Sequence, residues 1–131
     1  MFKTNEAHFE GDYFFQNAAL GTTTAERVSD VFELGVTEGG IRVRGWIEGT
    51  VACSSGKTIT TKVQVGNDAA STAATDWEDI ATKVVTATGT ALTGELISVI
   101  PDTDKQFMRV SMANATSMTG NVSVAVEYVP R

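Results

Sequence analysis

The chain has 131 residues, of which 42% are hydrophobic and 20% charged, and it carries a net charge of −6. Length and composition fit one folded domain with its own core and are too apolar for a disordered chain. The acidity excludes a protein that holds nucleic acid through a basic stripe, and the lone cysteine, Cys53, excludes an intrachain disulfide framework.

Residues 1–24 differ from the rest. Phe2, Phe9, Tyr13, Phe14 and Phe15 are five of the eight Phe and Tyr residues in the chain. They lie without clean period among Lys3, Glu6, His8, Glu10 and Asp12. Rings in such a polar setting suit an extended N-terminal arm whose partner is another surface. The alternative is a first strand and loop closing one end of the fold. On the arm reading, deleting residues 1–24 leaves a folded domain over residues 25–131. Met1–Glu6 lacks the basic start and apolar run of a secretion signal. No apolar stretch reaches the length of a membrane span. The expectation is therefore synthesis in a cytoplasm, with no membrane partner.

Val28–Leu34 reads as a short strand, and the glycines after it turn the chain. From Ile41 the apolar positions recur every second residue, as Ile41, Val43, Gly45, Ile47, Gly49 and Val51. Arg42, Arg44, Trp46 and Glu48 fall between them. After Cys53–Lys57 the same rhythm returns at Ile59, Thr61, Val63 and Val65. Period two is the signature of a strand with one buried and one wet face, and β-branched residues favour it. The two runs predict a long antiparallel hairpin at the centre of the fold.

Residues 66–75 are small and polar, a surface loop. Residues 76–85 place Trp77, Ile80, Ala81 and Val84 at helical spacing, yet Thr82, Val84 and Val85 are poor helix formers. A strand with a bent start is the better prediction. Residues 87–93 form a connection, and residues 94–100 a strand apolar on both faces, buried from two sides and ended by Pro101. Phe107–Asn114 turns Met108, Val110 and Met112 inward against Arg109 and Ser111, and residues 121–129 alternate again through Val122, Val124, Val126 and Tyr128. The fold class is all-β, a single antiparallel β-sandwich of jelly-roll-like build with an extended N-terminal arm.

Chemistry is harder to find. His8 is the single histidine, so zinc lacks a ligand set and a His-paired nucleophile lacks a rigid platform. Asp76, Glu78 and Asp79, like Asp102 and Asp104, cluster as carboxylates do in turns. No metal, cofactor or catalytic residue is expected, and the chain is not read as an enzyme. Asn114-Ala115-Thr116 and Asn121-Val122-Ser123 match a glycosylation pattern that is often met by chance. Arg42, Arg44 and Trp46 share one outward strand face and suit an interface.

The run Val43-Arg44-Gly45-Trp46-Ile47, then Thr60 to Ala70, Trp77 to Thr82, Phe107 to Ser111 and Val122 to Tyr128, resembles the short jelly-roll cement or decoration proteins of tailed-bacteriophage heads. The resemblance is one of layout over residues 28–129. It implies a homo-oligomer (dimer or trimer) on the outer surface of the virion, bound to the major capsid protein and stabilising the shell. Phe2, Phe9, Tyr13, Phe14, Phe15, Arg42, Arg44 and Trp46 are its candidate contacts. Two alternatives remain: another phage structural part, such as a tail or head-completion protein, and a carbohydrate-binding sandwich with Trp46 or Trp77 as sugar platform.

Overall fold

The computed structural model describes residues 13–22, 24–34 and 40–129. These form strands β1 (Tyr13–Gly21), β2 (Arg27–Val28), β3 (Phe32–Glu33), β4 (Gly40–Ala52), β5 (Thr58–Gly66), β6 (Glu78–Thr86), β7 (Ala91–Leu92), β8 (Glu95–Val99), β9 (Phe107–Asn114) and β10 (Met118–Val129). One sheet runs β1-β10-β4, with β7 and β8 sharing the far edge of β4. The other runs β9-β5-β6, with β2 and β3 sharing the near edge of β9.

The pairings are antiparallel and nested. β1 pairs with β10, β2 and β3 with β9, β4 with β7 and β8, and β5 with β6. Nested pairs of this kind are one long hairpin. The contacts β10·β4 and β9·β5 roll it into two sheets. That is a jelly-roll sandwich. Counting each broken edge strand once reduces ten strands to the eight such a roll requires.

The core explains the alternation in the sequence. Ile41, Val43, Ile47 and Val51 of β4 are buried against Ile59, Val63 and Val65 of β5, Met108, Val110 and Met112 of β9, and Val122, Val124 and Val126 of β10. Gly45 belongs to the same inward series. A Cβ there would stand 3.1 Å from Val124 Cγ2 and 3.2 Å from Ile97 Cγ2, so its absence lets the layers approach. At the other end Gly120 has φ +146°, and a Cβ would lie 2.7 Å from Val51 Cγ2. β10 follows the register shift in β4 there because no side chain intervenes.

Four expectations need correction. β4 and β5 are not a hairpin. They lie in opposite sheets, and Cys53–Lys57 is an arch between layers, so Val43 and Val63 meet across the core instead of side by side. The strand expected over Val28–Leu34 is two short pieces on β9. At the break between them, Ser29 N donates to Val110 O at 2.9 Å and Ser29 Oγ accepts from Val110 N at 2.9 Å. β8 is an edge strand, not one buried from both sides. A register shift opposite Gly45 and Trp46 turns adjacent Leu96 and Ile97 into the core, and Ile100 beyond it is 58% exposed.

The fourth concerns the arm. Tyr13–Gly21 is a strand in register with β10 and carries Leu20, 1% exposed, into the core. The sheet therefore starts inside the expected arm, as the alternative reading had it for this part. Phe2 and Phe9 lie outside the described residues.

Candidate functional site

The outer face of the first sheet gathers most of the described candidate contacts, and the strand registers explain why. Arg42 stands opposite Glu127, Arg44 opposite Ala125, Trp46 opposite Ser123 and Glu48 opposite Asn121. On the far side of β10, Tyr13 stands opposite Ala125. Arg44, Ala125 and Tyr13 thus form one row across three strands. Ala125 is fully buried in this outward position, between flanking large side chains.

Trp46 is the hub of the face. Its Nε1 donates to Glu48 Oε2 at 2.9 Å, and Ser123 Oγ donates to the same oxygen at 2.5 Å. The Tyr13 ring meets the Trp46 ring edge-on, with centroids 6.3 Å apart. The Arg44 guanidinium lies 5.8 Å from the Trp46 centroid, in cation–π range. Glu127 bridges the two arginines, 3.3 Å from Arg42 Nη1 and 3.8 Å from Arg44 Nη1. These ion pairs are partly exposed and contribute at most about 1 kcal/mol each. Arg42 and Arg44 stand against Glu48 and Glu127, and Glu95 of β8 lies opposite Trp46 on the other side of β4, so the face is only partly balanced and slightly acidic.

The edge of the face is shaped by Asn17, which has a left-handed φ of 49°. Asn tolerates that region better than most residues. Its N–H donates to Ser123 Oγ at 2.9 Å, and Asn121 Nδ2 donates to Asn17 Oδ1 at 3.0 Å and to Asn17 O at 3.1 Å. The bulged start of β1 directs its neighbouring rings differently. Tyr13 joins the outer face, while Phe14 and Phe15 pack on the core. Phe14 meets Phe32 edge-on at 6.3 Å. The structure thus brings Tyr13, Arg42, Arg44 and Trp46 together and packs Phe14 and Phe15, both partly buried, against the chain's own core. Adjacent aromatics in sequence carry no signal of a bulge that separates them.

The other residues singled out from sequence have local employment. Asp76 accepts from Ser71 Oγ at 2.5 Å, and Asp79 accepts from Gln64 Nε2 at 2.8 Å with Lys62 at 3.7 Å. Among the described residues no group of three or more His, Cys, Asp or Glu side chains is placed to hold a metal ion. Cys53 is half-buried against the first core cluster. Asn114 is fully buried and its Nδ2 donates to Thr116 O at 2.7 Å, so the side chain that heads the sequence motif is turned into the fold.

Trp77 is 6% exposed and cannot serve as a sugar platform. Its Nε1 donates to Ser71 O at 3.0 Å, and the Arg109 guanidinium lies 4.3 Å from its centroid. Gly66 makes room for the ring: a Cβ there would stand 2.6 Å from Asp76 O and 3.2 Å from Trp77 Cε3. The indole and arginine come from distant parts of the chain, and periodicity places neither against the other.

No family model matches the chain, and no curated protein matches it. Solved structures show distant likeness. PirA shares 15% identity at a TM-score of 0.48, over 88% of this chain and 94% of that one. A CBM4 structure shares 14% at 0.45, over 95% and 82%. The structure of infectious bursal disease virus, Gx strain, shares 11% at 0.44, over 90% of this chain and 31% of that one. At these scores the assignment of the chain to the jelly-roll sandwiches rests on its own strand pairings.

Proposed function

We propose that the chain is a non-enzymatic virion structural protein, a capsid decoration protein that grips the outer surface of a phage head through the Tyr13–Trp46–Arg44 face. The observation that carries the reading is this face itself: half-exposed aromatic and arginine side chains, the arginines held by neighbouring carboxylates, on a broad sheet. Trp, Tyr and Arg are the side chains enriched at protein interfaces, whose centres are poor in net charge. Glu48 and Glu127 hold Trp46 and the arginines in place before any partner arrives. A pre-ordered surface loses less side-chain freedom on binding. The layout resemblance to short jelly-roll decoration proteins supports the same reading. In a homo-oligomer each face binds weakly, and linkage through the oligomer raises effective concentration on the shell.

The test is occupancy on cognate heads stripped of the protein, read by co-sedimentation. Arg44→Glu combined with Trp46→Ala leaves the core intact and is expected to lower head affinity by about 10-fold or more, the range of one or two interface anchors. Unchanged occupancy in that variant, with its fold verified by circular dichroism, overturns the role of this face. A second reading, a carbohydrate-binding module, is favoured by one observation, the half-exposed Trp46 beside Tyr13. Glycan-array binding that disappears with Trp46→Ala, in a protein indifferent to heads, would establish it instead.

A further inference from the structure

β1 meets β10 through a bulge, and the residue that faces the bulge is Ser123. Phe15 stands opposite Val124 and Ala18 opposite Val122, so Gln16 and Asn17 share the single position of Ser123. An extra residue in one strand leaves backbone groups without a partner in the ladder. Here the Asn17 N–H finds the Ser123 hydroxyl instead, at 2.9 Å. On its other side Ser123 pairs with Trp46 of β4. Its Oγ lies 2.5 Å from Glu48 Oε2, the oxygen that also takes the Trp46 indole N–H at 2.9 Å.

What each group can do fixes the direction of these bonds. A hydroxyl has one hydrogen to give and two lone pairs to receive, whereas a backbone N–H only donates and a carboxylate only accepts. Ser123 Oγ therefore accepts from Asn17 and gives its own hydrogen to Glu48. Each bond polarises the next, so such a chain is stronger than its parts. Water does not stand in for the hydroxyl, because Ser123 is 1% exposed. Asn17 is itself fixed, since Asn121 Nδ2 donates both to its carbonyl and to its side-chain oxygen. β1 thus reaches the outer face in two ways: Tyr13 supplies a ring, and Asn17 supplies the hydrogen bond that sets Ser123 toward Glu48. Glu48, by contrast, is exposed. Without the hydroxyl that carboxylate is free to turn to solvent. An indole released with it regains side-chain freedom that binding must then remove.

We infer that Ser123 is the positioning residue of the Tyr13–Trp46–Arg44 face: its hydroxyl couples the seat of β1 to Glu48 and, through Glu48, to the Trp46 indole. This role rests on the reading of the face as the head contact, and it makes β1 bear on binding beyond any contact of Tyr13 itself.

The experiment compares Ser123→Ala, Glu48→Ala, the double variant and Ser123→Thr as full ¹⁵N-labelled chains. The Trp46 indole N–H and Asn17 amide resonances are followed, and head affinity is read by co-sedimentation. Ser123→Ala is expected to move both resonances, to speed hydrogen exchange at Asn17, and to weaken head binding about 3- to 10-fold, the range of one hydrogen bond. In the Glu48→Ala background the same change is expected to weaken binding by less than about 2-fold more, because a residue that acts through Glu48 has nothing left to act on. Ser123→Thr keeps the hydroxyl and is expected to restore both resonances. A Trp46 resonance indifferent to Ser123→Ala, or additive losses in the double variant, overturns the inference, and neither outcome needs the threonine to fit. Full head affinity in Ser123→Ala, where Arg44→Glu with Trp46→Ala loses it, overturns the inference too. Heads that ignore Arg44→Glu with Trp46→Ala sink the reading of the face instead, and the Trp46 resonance then still decides whether Ser123 positions the indole.

Discussion

Thr61 shows how a single side chain can sit at odds with its surroundings. It takes an inward position on β5 between Ile59 and Val63 and is fully buried. Its Oγ1 has no hydrogen-bond partner among the described residues. A hydroxyl stripped of water without compensation costs about 1–3 kcal/mol. Valine has nearly the same shape without the polar atom, and the core residues next to it on β5 and β9, Ile59, Val63 and Met112, are apolar. Thr61→Val is therefore expected to stabilise the fold by about 1 kcal/mol, a rise of a few degrees in thermal midpoint for a domain of this size. Scanning calorimetry checks it. A lower midpoint would mean that the hydroxyl is satisfied in solution. Sequence alternation gave Thr61 its correct face. It could not show that the hydroxyl would lack a partner, since that depends on which strand lies across the core.

At the scale of elements, the exposed rims of the two sheets are the places where a β-sandwich risks pairing with its neighbours. β6 is nine residues long and pairs with β5 on one side. Two features guard its other side. A register shift next to Val63 and Gln64 bends the strand at Ile80. Lys83 stands opposite the inward Thr61, so its ammonium projects at the open flank between the sheets, where it borders a cleft with Glu95 and Ile97 of β8. A strand adding to β6 would bury that charge beside its own backbone. Lys83→Val removes the obstacle and lengthens an apolar run through Val84 and Val85. Earlier and more extensive aggregation on heating is expected, measured by light scattering. Onset identical to wild type would show that the bend alone protects the edge. The strands themselves were legible because period two reports burial. Their partners were not, because burial on one face is the same whether the neighbour lies beside a strand or across the core. That is why β4 and β5 read as a hairpin when they form an arch. The Tyr13–Trp46–Arg44 face was half legible for the same reason: Arg42, Arg44 and Trp46 share a strand, whereas Tyr13 reaches them only through β10.

For the whole molecule, the nested pairing makes the first described strand as much a part of the fold as the last. β1 closes the free edge of β10 and delivers Leu20 and Phe15 to the same core cluster that holds Met112 and Val122. A chain that starts at residue 25 loses that strand. Removing Leu20 from its site alone costs about 2–5 kcal/mol, the range for a buried leucine cut back to alanine. The broken β1·β10 ladder adds to this loss. Against a typical stability of about 5–15 kcal/mol, such a truncation brings the domain close to unfolding, contrary to the expectation that residues 1–24 are dispensable to the fold. A chain that starts at Tyr13 keeps the whole of β1. Urea titrations of the two truncations separate these cases. The longer truncation is expected to lose most of its midpoint, and the shorter one to retain a single sharp transition. If the chain starting at residue 25 unfolds at the full-length midpoint with an unchanged slope, β1 is an ornament on the sandwich and not a closing strand. The slope matters as much as the midpoint, because it scales with the surface exposed on unfolding and reports whether β1 is released in the same step as the core.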